Sequence, residues 1–198
     1  MSVAALVGSV RLGLATLNRI VRESLPVLLV AGLIDVVAGL TIEKRLAAFV
    51  AFPALLVLVP PFLEDTGALG GILSSRLASK LHLGVIDPVT AAQRPARDDF
   101  VMTFVYAVPV FTLVALSADL TSALTGLPSP GALRMVAISL LGGFTATAFA
   151  VPIAYYGAIA TYRLGLDPDN HGIPMITSSM DLIGAFALVL AIVVVGLR

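Results

Sequence analysis

The chain has no cysteine and no tryptophan, and only 12% of its 198 residues are charged. Without cysteine there is no disulfide, no thiolate nucleophile and no cysteine-ligated zinc or iron–sulfur centre. Without tryptophan, any aromatic belt at a membrane surface falls to Tyr and Phe. The shortage of charge excludes more. About a quarter of the residues of a soluble domain are charged, and half that share leaves too little polar surface to cover a globule in water. Twelve Lys and Arg balance twelve Asp and Glu, so the net charge is zero, and the basic footprint of a nucleic-acid-binding protein is missing. Gly-x-Ser-x-Gly, His-Glu-x-x-His, the phosphate-binding loop and the dinucleotide fingerprint are all absent, which removes the commonest soluble-enzyme signatures. The first residues carry Arg11, Arg19, Arg22 and Glu23, not the short apolar core and small-residue site of a cleaved signal, so none is expected.

What is present is hydrophobicity: 59% of residues are hydrophobic and the mean hydropathy is +1.04. Lipid is the expected solvent. A span needs about 20 residues, and stretches nearly free of charge predict five, at about 25–42, 46–65, 99–121, 133–162 and 171–197. Glu43-Lys44-Arg45 reads as a tight charged turn, and Gly126-Leu-Pro-Ser-Pro-Gly131 and Leu166-Asp-Pro-Asp-Asn170 as turn clusters. Thr66–Leu83 is helix-compatible but too polar to face lipid, so it is expected to carry span two on toward water; a protein-buried extra span is the alternative. Residues 1–22 set arginines among Val, Leu and Ile, which suits an amphipathic helix lying in the interface. The predicted fold is all-α: a polytopic membrane helical bundle of five transmembrane helices (23–198) plus that N-terminal interfacial helix (1–22).

Lys and Arg near span ends set orientation. A cytoplasmic N-terminus puts Arg11, Arg19, Arg22, Arg76, Lys80, Arg94, Arg97 and Arg163 inside and only Lys44, Arg45, Arg134 and Arg198 outside. The expectation is a multi-pass cell-membrane protein with its N-terminus in the cytoplasm and its C-terminus outside.

Chemistry then rests on charge within the membrane. Asp181 lies 11 residues beyond Asn170, on the order of 16 Å along a helix and so near mid-membrane. An ionised carboxylate there must face a partner or water. Every Lys and Arg falls at a span end or in a loop, so a cation is the expected partner, against a protonated, hydrogen-bonded Asp as the bland alternative. Thr177 and Ser178, four and three residues earlier, add hydroxyls, and Gly184 allows a neighbour close. Carboxylate, hydroxyl and carbonyl oxygens suit a hard divalent ion such as Mg²⁺ or Ca²⁺, not zinc or copper. Asp35 is also mid-span, with the two readings evenly matched. Pro60-Pro61 leads at once to Glu64-Asp65, read either as a carboxylate vestibule or as a solvated helix end. His82 and His171, near span ends, are expected to cap or sit at the interface. Small residues recur every fourth position at Gly67, Gly71, Ser75 and Ser79, and again from Gly142 to Ala158. Such stripes permit close helix packing.

The run Asp167-Pro-Asp-Asn-His-Gly-Ile-Pro-Met-Ile-Thr-Ser-Ser-Met-Asp181-Leu-Ile-Gly184 resembles the last transmembrane helix of the MgtE-type magnesium transporters and their animal solute-carrier relatives. Pro60 to Ser79 is similar to the second-helix motif of that family, a proline leading into a glycine-rich stretch and a small-small-Arg-Leu ending. Where bacterial members often read Gly-Gly-Asn, this chain reads Glu64-Asp65-Thr66. It has no counterpart of their large cytosolic regulatory domains, and so looks closer to compact archaeal-type members. The resemblance implies Mg²⁺ as the transported ion, Asp181 as the central ion-binding carboxylate with Thr177 a turn before it, and a pore lined by helices two and five of each subunit of a dimer. The second subunit would be an identical chain or a sister five-span protein. The metal-site candidates are Asp181, Thr177, Ser178, Asp65 and Glu64. Two other readings stay open: an exchanger coupled to Na⁺ or H⁺ through Asp35 or Asp119, and a non-transporting assembly subunit.

Overall fold

A computed structural model describes residues 3–89 and 91–197, with the backbone alone described for residues 3–20 and for residue 23. The arginines at 11 and 19 and the terminal Arg198, used above to orient the chain, lie outside the described side chains. The elements are α1 (Val3–Glu43), α2 (Leu46–Ala51), α3 (Ala54–His82), α4 (Arg94–Thr125), α5 (Ala132–Leu164), a π-helical turn (Pro168–Gly172) and α6 (Ile173–Val194). No strand occurs among the described residues. Five stretches are long and apolar enough to cross a bilayer, Ser24–Glu43, Ala54–His82, Arg94–Thr125, Ala132–Leu164 and Pro168–Val194, and the all-α, five-span expectation holds.

Two boundaries differ from the sequence reading. The helix expected over 1–22 is the first half of α1 and runs into span one without a break, passing through Pro26. At 1.5 Å per residue α1 is about 60 Å long, twice a hydrocarbon core of about 30 Å, so half of it lies beyond the spanning part. Span two begins later and ends later than 46–65. Phe52-Pro53 separates the short α2 from α3, because proline has no N–H for the helix ladder and disfavours helix at the residue before it. Thr66 to His82 then belongs to the membrane-crossing helix. Its polarity is tolerated because Thr66, Gly67, Gly70, Gly71 and Ser74 are buried against other helices, not against lipid.

Helix α6 lies against α1, α3 and α5, and α4 closes the far side against α3 and α5. One half of the core is built on Phe49, Leu55, Phe62, Phe111, Ile138 and Leu188. The other half is built on Leu73, Leu77, Tyr155, Ile176 and Met180 with Ala146, Ala150, Ala154 and Ala158. That alanine stripe is a packing surface, as expected of small residues at every fourth position. Gly126 and Gly165 end α4 and α5 in left-handed conformations, φ 71° and 65°, which cost glycine little. The loops are tied back: Tyr155 donates to the Val89 carbonyl at 2.9 Å, and the Ala54 N–H donates to Pro128 at 3.3 Å.

Candidate ion site

Asp181 stands on α6 where the α3 backbone comes close. A Cβ built on Gly67 would lie 3.5 Å from Asp181 Oδ1 and 3.8 Å from Thr177 Cβ. One on Gly184 would lie 2.7 Å from Thr66 Oγ1. Gly184 therefore sets the seam, since a side chain there would force α3 and α6 apart, whereas a Cβ at Gly67 would make only ordinary van der Waals contact with α6. Thr66, fully buried, gives its hydroxyl proton to the Leu63 carbonyl at 2.7 Å. Thr177 donates back along its own helix to Ile173 and Pro174 at 3.1 and 3.0 Å. Its lone pairs stay available to an incoming ion or water.

The half-buried carboxylate of Asp181 opens onto a cavity of about 260 Å³ lined also by Asp35 and Gly39 of α1 and by Pro60 and Glu64 of α3. Asp35 and Glu64 are exposed at its rim. Glu64 is ten residues into α3, on the order of 15 Å, so it too sits at mid-depth and is not a solvated helix end. Of the sequence candidates, Asp181 and Glu64 share this cavity and Thr177 borders it from the α3–α6 seam. Ser178 is buried on the opposite flank of Asp181 from Thr177. Asp65 falls outside, on the stripe with Leu69, Ile72 and Arg76 that faces α4. Asp35, singled out in the sequence without neighbours, is the residue that helix packing adds. Asp119, the other coupling candidate, is engaged by the Ser129 hydroxyl in the turn between α4 and α5.

Among the described residues the ion pairs are Arg76 and Lys80 on Asp99, near one end of α3 and α4; no cation meets Asp181. Nor do three His, Asp or Glu side chains gather closely enough to hold a bare metal ion. The cavity's 260 Å³ has room for several waters at about 30 Å³ each. Further along α3 the seam with α6 is tight at Gly70, whose Cβ would meet Met180 Cγ at 2.8 Å and Ile176 Cγ2 at 3.2 Å. It widens again into a second space of about 290 Å³ among Ser75, Ser79, His82 and Asp169. His82 accepts its expected capping role, with Nδ1 2.8 Å from the Ala78 carbonyl and its ring edge-on to Tyr162. His171 lies in the π turn, its Nδ1 buried and without a hydrogen-bond partner.

A five-span helical bundle with acidic side chains facing an intramembrane cavity defines a polytopic membrane protein built to pass cations. The sequence profile of MgtE, a divalent cation transporter family, matches residues 59–191. That is well over half of the chain and holds most of α3, all of α4 and α5 and most of α6, including Glu64, Thr177 and Asp181. The chain belongs to the MgtE family, and divalent cation transport is its function.

Proposed function

We propose that the chain passes Mg²⁺ as a largely hydrated ion along the α3–α6 seam, between two copies whose Asp181 carboxylates hold it at mid-membrane. The observation that carries this reading is a half-buried intramembrane carboxylate that meets no cation among the described residues. It opens, together with the exposed Asp35 and Glu64, on a face that no other helix covers among the described residues. Thr177 supports the ion's water shell and Ser178 orients the turn before Asp181. Glu64 and Asp35 attract the ion at the cavity rim, and Asp65 contributes through its charge at a distance. Mg²⁺ sheds water reluctantly, so a wide, watery carboxylate site selects it better than a tight cage would. The N-terminus and the cluster of Arg76, Lys80, Arg94 and Arg97 lie on the cytoplasmic side, the C-terminus lies outside, and the first half of α1, continuous with span one, extends on the cytoplasmic side.

Two charges moving down an inside-negative potential release about 4.6 kcal/mol per 100 mV, enough to drive influx without ATP. The chain alone, reconstituted in liposomes with an imposed potential and no Na⁺ gradient, should take up Mg²⁺ in a saturable manner. Uptake that requires a Na⁺ or pH gradient would favour the exchanger, with Asp35 as the coupling carboxylate. No saturable flux under any gradient would leave a non-transporting subunit.

A further inference from the structure

A groove of about 240 Å³ runs between α3 and α4, well apart from the acidic cavity. Its walls are apolar, including Leu69, Ile72, Met102 and Tyr106, and the charged pair Arg76–Asp99 closes one end. Ile72, Met102 and Tyr106 are about half exposed, at 54%, 48% and 50%, so the groove opens sideways to the lipid. Arg76 is 22 residues along α3 from Ala54, about 33 Å, which spans a core of about 30 Å and brings its guanidinium to the far hydrocarbon boundary. Asp99 is buried and takes two cations at once. Arg76 Nε donates to Oδ1 at 2.9 Å, and Lys80 Nζ donates to Oδ2 at 2.5 Å and to the Pro95 carbonyl at 2.7 Å. One carboxylate against two cations leaves an excess positive charge. Asp98, the neighbouring carboxylate, is exposed and pairs with neither Arg76 nor Lys80 among the described residues. The Arg76 side chain keeps half of its surface exposed at the groove mouth.

From this we infer that the α3–α4 groove binds one anionic phospholipid, its phosphate against Arg76 at the membrane boundary and an acyl chain along Leu69, Ile72 and Met102. An apolar trough beneath an under-neutralised cation fits a lipid with a negative head and an apolar tail. A free anion would leave the trough unfilled, and a zwitterionic lipid would leave the charge excess unmatched. The groove stops one helical turn short of Asp65, so the acyl chain does not run over that carboxylate.

The full chain, reconstituted in bilayers of equal phosphatidylglycerol and phosphatidylcholine and then extracted in mild detergent, should retain phosphatidylglycerol in native mass spectra. The expected preference is about fivefold or more, the effect of one basic side chain near a membrane surface. Arg76→Lys should keep the preference and Arg76→Gln should abolish it. Because Arg76→Gln also strips buried Asp99 of one of its two cations and can unfold the protein, Ile72→Trp supplies the independent arm. It fills the groove, removes no charge, and should expel the lipid from folded protein. Glycerol phosphate at millimolar concentration should not displace the retained lipid. Equal retention of the two lipids by the unaltered chain, retention of phosphatidylglycerol by Ile72→Trp, or displacement by glycerol phosphate would overturn the assignment. So would loss of dimer in Ile72→Trp with lipid retention unmoved, which would make the groove a protein contact.

Discussion

Asp181 is the residue on which the reading of the site turns, and its position sets opposite demands on stability and transport. A carboxylate at mid-membrane without a cation costs several kcal/mol unless water or an ion reaches it. Asp181→Asn keeps the shape and the hydrogen bonding while removing that cost, so the variant should fold as well as the parent or better in the absence of divalent ions. With Mg²⁺ present the order reverses. Millimolar Mg²⁺ should raise the melting temperature of the parent by ligand linkage, and Asp181→Asn should lose most of that rise. Uptake should fall at least about tenfold, the scale of one lost charge-assisted contact of roughly 1.5–3 kcal/mol. Near-parental Mg²⁺ uptake by Asp181→Asn would remove Asp181 as the ion site. Glu64→Gln and Asp35→Asn alter exposed carboxylates at the rim, where water screens the charge, and each should weaken uptake by a smaller factor.

At the scale of the helix, glycine decides how closely neighbours lie. A Cβ on Gly143 would fall 2.1 Å from the ring of Phe111, which is fully buried between α4 and α5 and packs on Phe62 at a 5.2 Å ring separation. Gly143→Ala must move that ring or part the helices, a cost of about 1–3 kcal/mol, and should lower the melting temperature in detergent by several degrees. Gly32→Ala in α1 meets nothing within 4 Å and should leave the melting temperature unchanged or slightly raised by the gain in helix propensity. Equal effects of the two substitutions would show that the close approach at Gly143 is not holding α4 against α5. The same packing explains what the sequence revealed and what it withheld. Five spans could be read because lipid-facing helices must be apolar along their length, and Asp181 stood out because it interrupts one of them. The bounds of α3 could not be read that way. Its polar half, Thr66 to His82, is shielded by α5 and α6, and hydropathy does not distinguish shielding by protein from exposure to water. Glu64 stayed open between a carboxylate vestibule and a solvated helix end for that reason. Its partnership with Asp35 depends on how α1, α3 and α6 meet, which no local pattern records. The π turn at Pro168–Gly172 likewise looked like an ordinary turn cluster.

For the whole molecule, the distribution of small and acidic residues identifies the face that a second copy would cover. On α6, Gly184 is already filled by Thr66 of the same chain, so the Thr177–Gly184 side of that helix is largely occupied within one subunit. The uncovered surface is the stretch of α3 carrying Glu64, Ala68, Ser75 and Ser79, all exposed, together with the Asp35–Gly39 segment of α1. Small side chains let two α3 helices approach closely, and a two-fold axis there would set both acidic cavities face to face. The cysteine-free sequence makes this directly measurable. Single cysteines at Ala68 and Ser75 should form cross-linked pairs efficiently in native-like bilayers, while a cysteine at Leu113, 63% exposed on α4, should not. Mg²⁺ should increase trapping at Ala68, because one divalent ion shared between two carboxylates removes their mutual repulsion. Asp181→Asn should abolish that ion dependence while leaving the basal cross-linking in place. Cross-linking at Leu113 equal to that at Ala68 and Ser75, or uniformly monomeric protein at all three, would place the ion path within a single subunit and exclude a pore shared by two.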